Sequence, residues 1–290
     1  MPIADGLVPQ WLFTLVAAAT LFVIMFDLGL AIVPGEFRWV LQHPALMAKA
    51  TFAVLVGVPA GAWLVVRFLD LPRPAEIGIM LMAIAPGAPV ALRRSLGAGG
   101  HRSFAPALQI AIVTLAVVTM PLYIAGLDEY YATTATIDPG RLARQVLMAQ
   151  LAPLGTGMLV TKLAPRASAW LEPRLAKVGG LMLMLLLLLA LIDIWKPVVT
   201  AGARVAFAIA LVTAVAIAIG HVLGGPDPAT RTATGISSAA RNPGLALLVA
   251  TLNNAPPPVI ATILAYLVVA GLTLIPYVAW RKRQGATARP

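Results

Sequence analysis

Apolar residues occur in long runs along the chain, separated by short polar segments. A helix needs about 20 consecutive, mostly apolar residues to cross the hydrocarbon core of a bilayer. Runs of about this length lie near 11–33, 45–66, 103–126, 142–161, 176–195, 201–223 and 257–280. This pattern predicts seven uninterrupted membrane-spanning helices.

Two further segments, 75–98 and 229–254, have the length of a span but are interrupted near the middle. The residues at the interruptions are Pro86, Gly87, Pro243 and Gly244. A spanning helix must satisfy its own backbone hydrogen bonds, so a break is tolerated only where it faces protein or a water-filled cavity. Paired interruptions in the two halves of a chain indicate the binding site of a secondary transporter.

Together, the runs and the broken segments predict nine spans in a single all-helical membrane domain, residues 1–290. The longest connections, 127–141 and 162–175, are too short for a soluble domain. By this count the first broken segment crosses from outside to inside and the second crosses in the opposite direction. The two halves are therefore expected to form an inverted repeat whose discontinuous helices cross near the bilayer midplane.

The amino-acid composition agrees with a membrane protein. Hydrophobic residues make up 60% of the chain and charged residues 11%, which leaves too little polar surface for a soluble domain. The formal net charge of +10 does not indicate a nucleic-acid partner, because Lys and Arg accumulate at the cytoplasmic ends of membrane helices. The lipid bilayer is the expected partner, and the oligomeric state stays open.

The distribution of charge predicts the orientation of the chain. Basic residues gather on one side of the predicted bundle, where the stretch 281–283 and the loop containing Arg102 lie. The opposite side receives the N-terminus and the acidic loop 126–140. Because basic loops stay in the cytoplasm, the N-terminus is expected outside and the C-terminus inside a bacterial inner (plasma) membrane.

No pattern of catalytic or metal-binding residues occurs in the sequence. The 3 histidines lack the HExxH spacing of a zinc site, and the 11 acidic residues form no paired Asp-rich motif. The stretch 235–238, Gly-Ile-Ser-Ser, is not the GxSxG motif of a serine hydrolase. Neither an enzyme nor a metal site is therefore expected.

Arg241 is the first candidate binding residue, because it lies just before the second break, where the preceding half-helix ends. It is either a structural arginine, paired or reaching the interface, or an interior charge that binds an anion. The half-helix that begins at Pro243 offers free backbone N–H groups to an anionic group. The other candidate substrate-binding residues are Asn242, Ser237, Ser238, Pro89, Gln109 and Arg94.

Asp27 is the only acidic residue in the first apolar run, and Lys49 lies at a similar depth in the next one. Two opposite charges on neighbouring helices predict a structural ion pair, since each neutralises a charge that is costly to bury. The alternative makes Asp27 a proton-carrying carboxylate or the partner of Arg241.

Five blocks of sequence occur in an order that resembles the bile acid:sodium symporter family. They are MFDLGLAIVPGEFRWVLQHP (25–44), VPAGAW (58–63), LPRPAEIGIML (71–81), APGAPVALRRSLGAGG (85–100) and ISSAARNPGLALLVA (236–250). The resemblance implies a core domain that holds the two crossed helices and a panel domain of the remaining helices. It further implies alternating access by movement of one domain against the other, with an organic anion as substrate.

The chain departs from this family at the positions that bind sodium. The family pattern Glu-x-x-x-Gln-Asn corresponds here to Ser237, Arg241 and Asn242. Its other sodium-site positions fall on Ala91, Leu92, Ala105, Gln109 and Val54. Since sodium needs several oxygen ligands, both sites are expected to be lost and no cofactor is expected.

These observations predict a secondary transporter that moves a small organic anion by alternating access without sodium coupling. Two alternatives remain: a sodium-dependent symporter of bile acids or other organic anions, and a membrane sensor that binds a ligand without transporting it. The sequence leaves open whether a proton, residual sodium or no ion drives transport.

Overall fold

The computed structural model describes residues 10–32, 42–131, 138–200 and 202–287, and it is helical through nearly all of these ranges. The uninterrupted helices are α1 (Gln10–Leu30), α2 (Pro44–Leu69), α5 (Phe104–Tyr131), α6 (139–163), α7 (Pro165–Thr200), α8 (Gly202–Leu223) and α11 (Pro257–Thr287). The broken segments form α3 (Arg73–Ile84), α4 (Pro89–Gly97), α9 (Pro228–Ala239) and α10 (Pro243–Leu252). One π-helical turn interrupts α2 at Ala53–Gly57 and another interrupts α6 at Leu147–Leu151.

Several of these helices are long and apolar enough to cross a membrane. Five meet that condition, namely α2, α5, α6, α8 and α11, and the bent pair α3 and α4 makes a sixth. Helix α1 contains a shorter apolar stretch, Thr14–Leu30. The chain is therefore an integral membrane protein, whereas the count of nine spans and the inverted repeat stay predictions.

The predicted connection 162–175 is wrong, because every residue in it except Ala164 is helical. Helix α6 continues to Leu163 and α7 begins at Pro165. Proline suits the first position of a helix, because an N–H group at this position would have no partner within the helix. The other long connection shortens too: α5 continues to Tyr131, and Asp138 caps α6 by accepting a hydrogen bond from the Gly140 N–H at 3.0 Å. Residues 132–137 of that loop, 33–41 of the first family block, and 1–9 lie outside the described residues.

Helix α1 packs mainly against α6 and α7. A Cβ on Gly157 would lie 2.3 Å from the Phe26 carbonyl oxygen and 2.9 Å from the Gly29 Cα, so only glycine allows this approach of α6 to α1. Small residues permit such contact between membrane helices. The carbonyl of Leu30, at the end of α1, accepts hydrogen bonds from Thr161 of α6 at 3.0 Å and from Ser168 of α7 at 3.2 Å.

The two broken helices meet at their breaks. The first break comprises residues 85–88, and α3 and α4 bend by 65° across it. Gly87 there has a φ of +82°, a value that favours glycine. The second break comprises residues 240–242, and the Asn242 backbone N–H donates to the Ala85 carbonyl oxygen at 2.9 Å. A main-chain hydrogen bond therefore joins the breaks directly.

Pro243 and Gly244 lie just after the second break, as the first two residues of α10. Asn242 caps this helix, since its Oδ1 accepts a hydrogen bond from the Leu245 N–H at 3.1 Å. The break itself consists of Ala240, Arg241 and Asn242. Pro243 has no N–H, and the N–H groups of Leu245 and Ala246 bond to Asn242, so the positive end of the α10 dipole lies at the break with part of its first turn already capped.

Candidate functional site

A cavity of about 160 Å³ lies beside the meeting point of the two breaks. Helix α1, the first turns of α4 and α10, and the middle of α7 form its walls. Its polar side chains belong to Thr20, Asp27, Arg93, Arg241 and Asn242, and much of the remaining wall is apolar. A largely apolar cleft with a few polar groups is typical of a small-molecule site.

Two helices begin at this cavity. Pro89, the first residue of α4, and Pro243 and Gly244, the first residues of α10, all line it. The unpaired N–H groups and the dipole at the start of a helix favour negative charge. The cavity therefore receives a positive contribution from both broken helices, one on each side.

Arg93 of α4 forms ion pairs with two carboxylates on different helices. Its Nη2 lies 2.7 Å from Oδ2 of Asp27 on α1 and 2.8 Å from Oε1 of Glu172 on α7. The exposed fraction of the side chain is 7% for Asp27, 33% for Glu172 and 41% for Arg93. The three residues thus extend from the cavity wall towards the protein surface.

The predicted ion pair between Asp27 and Lys49 is not formed. Lys49 is exposed on α2, which packs against α3, α5 and α8, whereas α1 packs mainly against α6 and α7. The helix next in sequence to α1 is therefore not its main neighbour in space. Arg241 does not pair with Asp27 either. Within the described ranges, Asp27 forms its ion pair with Arg93, and Arg93 forms a second one with Glu172.

Arg241 is buried, with 4% of its surface exposed, and its side chain reaches the π-helical turn of α2. Its Nη2 donates to the Val54 carbonyl oxygen at 3.0 Å. In this turn the Val58 N–H bonds to the Ala53 carbonyl, and Pro59 has no N–H to offer. Proline within an apolar helix thus leaves a carbonyl group available for a distant side chain.

The remaining nitrogens of Arg241, Nε and Nη1, have no hydrogen-bond partner among the residues described. Two tyrosines, Tyr123 and Tyr266, lie close enough to interact electrostatically with the guanidinium group. The Tyr123 hydroxyl donates to the Leu55 carbonyl oxygen at 2.8 Å, next to the carbonyl that Arg241 uses. A buried cation therefore borders the cavity with part of its hydrogen-bonding capacity unused among the described residues.

Four of the other predicted binding residues do not line the cavity. The Gln109 Nε2 donates to the Ala88 carbonyl oxygen at 3.1 Å, so this side chain contacts the first break. Ser237 and Ser238 are buried on α9 and do not line the cavity. Arg94 is exposed and lines a separate surface groove with Lys282 of α11.

Six of the predicted site residues meet at the cavity: Asp27, Pro89, Arg241, Asn242, Pro243 and Gly244. Sequence reasoning missed Arg93 as the partner of Asp27 and Glu172 as the second carboxylate on Arg93. One signal was available: Arg93 follows Pro89 by four residues, which places it one helical turn from the first break on the same helix face. Glu172 gave no such signal, because it falls in a stretch interpreted as a connection.

The chain matches the model of the sodium bile acid symporter family over residues 18–196, more than half of its length. The protein belongs to the sodium bile acid symporter family. This family comprises membrane transporters and not enzymes. The part that matches the sodium bile acid symporter family includes the first broken helix, Asp27, Arg93 and Glu172, whereas Arg241 lies beyond it. A search of curated proteins found no match to the chain.

Proposed function

We propose that this protein is a secondary transporter that carries a small organic anion across the membrane by alternating access, without coupling to sodium. The observation that carries the proposal is the cavity at the joined breaks, on which both α4 and α10 begin. Membership of a transporter family supports the transport part. The charge and size of the site support the choice of substrate.

An anionic substrate suits the polar groups of the cavity. Two helix starts contribute partial positive charge, and Arg241 contributes a full charge. The Asn242 Nδ2 has no partner in the described part of the chain and can donate a hydrogen bond. Charge-assisted hydrogen bonds from such donors are stronger than those between neutral groups.

The size of the cavity favours a small substrate over a steroid. A cavity of about 150 Å³ in another protein holds one benzene molecule, and the cavity here measures about 160 Å³. The cavity therefore matches a benzene-sized ring with one acidic group. A bile acid, with its four fused rings, is several times too large.

Arg241 argues against sodium coupling. By resemblance, Arg241 and Val54 stand at positions that hold sodium ligands in the family, and here the guanidinium donates to the Val54 carbonyl oxygen. A carbonyl oxygen engaged in this way is less available to a cation, and the arginine keeps its charge under all ordinary conditions. The residues present do not suit a sodium ion at this place.

Uptake of radiolabelled benzenesulfonate by proteoliposomes tests the proposal. This anion stays ionised and does not cross bilayers by itself, and its size matches the cavity. We expect uptake that is unchanged when choline replaces sodium. Steep sodium dependence would contradict the uncoupled mechanism, and binding without uptake would indicate a sensor.

A pair of variants tests whether the cavity is the transport site. Val90 of α4 lines the cavity, so Val90→Trp should fill it and abolish uptake. Leu96, on the same helix, is 39% exposed and does not line the cavity, so Leu96→Trp should leave uptake near the level of the unmodified protein. Equal effects of the two variants would place the site elsewhere.

A further inference from the structure

Asp27, Arg93 and Glu172 form a cluster with one negative charge in excess, because two carboxylates share one guanidinium group. Both bonds end on the same nitrogen, Nη2 of Arg93. The Asp27 Oδ1 is buried and makes no hydrogen bond to any described residue. Two carboxylates that share a site hold a proton more readily than either alone.

The cluster connects the cavity to one end of the helix bundle. Asp27 lies three residues from the end of α1, Arg93 four from the end of α4, and Glu172 seven from the start of α7. At about 1.5 Å per residue, all three lie within about 10 Å of those helix ends. Asp27 and Arg93 line the cavity, while Glu172 is partly exposed.

No other charge faces Asp27 from the described parts of the helices that pack on α1. Helix α10 contains no ionisable residue. The remaining cations of α4, α6 and α7 whose side chains the structure describes are exposed: Arg94, Arg141, Arg144, Lys162, Arg166, Arg174 and Lys177. Asp27 interacts electrostatically with Arg93 and Glu172.

Resting on the proposed transport of an organic anion, we infer that this cluster binds one proton and thereby couples proton entry to anion binding. In the deprotonated cluster both carboxylates occupy Arg93, and their excess charge repels an anion in the cavity. A proton taken from water adds to a carboxylate oxygen of Asp27 and makes the cluster neutral. The guanidinium group of Arg93 keeps its own protons and its ion pair with Glu172. It loses its ion pair with Asp27, so that it can also pair with the anion.

The stoichiometry follows from charge balance. One proton and one monovalent anion enter the site together, and their charges sum to zero. The loaded site therefore has the same net charge as the empty, deprotonated site. Transport is therefore an electroneutral symport of a proton with an anion. The cluster also links α1 and α7 to α4, so protonation weakens a contact between the two helix groups that must separate when the site opens.

Infrared difference spectroscopy of the purified protein detects the proton directly. Between about pH 8 and about pH 5, we expect the unmodified protein to gain the carbonyl band of a protonated carboxylic acid. Asp27→Asn should lose this band. Glu129→Gln, at an exposed carboxylate near the far end of α5, is the matched control and should keep it. A band that survives in Asp27→Asn, or that never appears in the unmodified protein, overturns the proton site.

Calorimetric binding of benzenesulfonate tests the exchange step, since this anion does not titrate in the range used. If only the protonated cluster binds the anion, its apparent Kd should rise about tenfold for each pH unit above the pKa of the site. Asp27→Asn carries the charge of the protonated cluster, so its Kd should not depend on pH. The exchange of a proton for anion binding is overturned if Asp27→Asn shows the same pH dependence of Kd as the unmodified protein. It is also overturned if the unmodified protein does not bind benzenesulfonate at about pH 5.

The two proposals fail in different ways. Sodium-independent uptake of benzenesulfonate without any pH dependence contradicts the proton cluster and leaves anion transport standing. A titrating Asp27 band together with no uptake contradicts anion transport and the exchange step that rests on it.

Discussion

Arg241 and Arg281 are both buried arginines, but their surroundings differ. Every guanidinium nitrogen of Arg281 has a partner: Nε donates to Thr232, Nη1 to Gln284 and Nη2 to the Pro228 carbonyl. Arg241 has one partner, the Val54 carbonyl. A buried charge without its full set of hydrogen bonds lowers stability, and this supports the ligand-binding role proposed for Arg241.

Substituting methionine at each arginine separates these roles. Arg241→Met removes a poorly solvated charge, so the free energy of unfolding should stay the same or rise by about 1 kcal/mol. Arg281→Met leaves several acceptors without a donor and should lower it by on the order of 3 kcal/mol. Thermal unfolding in detergent measures both effects.

Anion binding should respond in the opposite way. Arg241→Met should weaken benzenesulfonate binding by about 2–3 kcal/mol if the guanidinium contacts the anion. Arg281, at the far end of α11, should not affect it once the folded fraction is taken into account. Undiminished binding by Arg241→Met would make this arginine a structural residue after all.

At the scale of single residues, the positions of site residues along the chain could be predicted, but their contact partners could not. Arg241 and Asn242 were found because a break in an apolar segment is visible in the sequence itself. The pairing of Asp27 with Lys49 was wrong because it assumed that helices adjacent in sequence are adjacent in space. Which helices touch depends on close contacts such as Gly29 with Gly157, which have no local signature.

At the scale of single helices, one proline in α2 shapes the surroundings of Arg241. Pro59 cannot donate a backbone hydrogen bond, and the preceding residues form a π-helical turn. The carbonyl groups of Val54 and Leu55 then accept side-chain hydrogen bonds from Arg241 and Tyr123. Such turns often occur at functional sites because they release carbonyl groups from the helix.

Two glycines of α6 offer a matched test of how α1 packs. Gly157→Ala places a methyl group 2.3 Å from the Phe26 carbonyl oxygen, so the helices must separate. We expect a loss of about 1–3 kcal/mol in the free energy of unfolding. Gly155, half a turn away, has open space around its Cα, so Gly155→Ala should increase stability by roughly 0.5–1 kcal/mol. Urea titration should show opposite signs, and a shared sign would contradict this helix contact.

The apolar runs predicted the positions of helices well and the polar helical segments poorly. Among the described residues, each predicted run coincides with a helix of the structure to within a few residues. Helical residues at 165–175 were missed because this stretch is polar, and hydropathy does not distinguish a polar helix from a loop. Glu172 lies there, so the error in a connection became an error in the site.

At the scale of the whole molecule, the cavity lies where α1 and α7 face the two broken helices. The Arg93 cluster borders this space near one end of the bundle, on the side to which the chain was predicted to direct its basic loops. That side is the cytoplasm if the N-terminus is outside. The proton would then be exchanged with the cytoplasm in the conformation described.

A reporter fused after residue 287 tests this orientation. The basic residues Arg281, Lys282 and Arg283 predict a cytoplasmic C-terminus. A fluorescent protein that folds only in the cytoplasm should therefore be bright, and alkaline phosphatase at the same point should be inactive. An active phosphatase fusion would reverse the orientation and assign the cluster to the outer side.

The hydrogen bond between the Asn242 N–H and the Ala85 carbonyl has a consequence for altering the specificity of this protein. This bond joins the two breaks through the main chain, so the contact itself requires no particular side chain at Thr20, Leu21 or Val90. Thr20, Leu21 and Val90 can then be randomised in a selection experiment while the scaffold keeps its geometry. The specificity of the cavity can therefore be changed in such an experiment without changing the fold that forms the cavity.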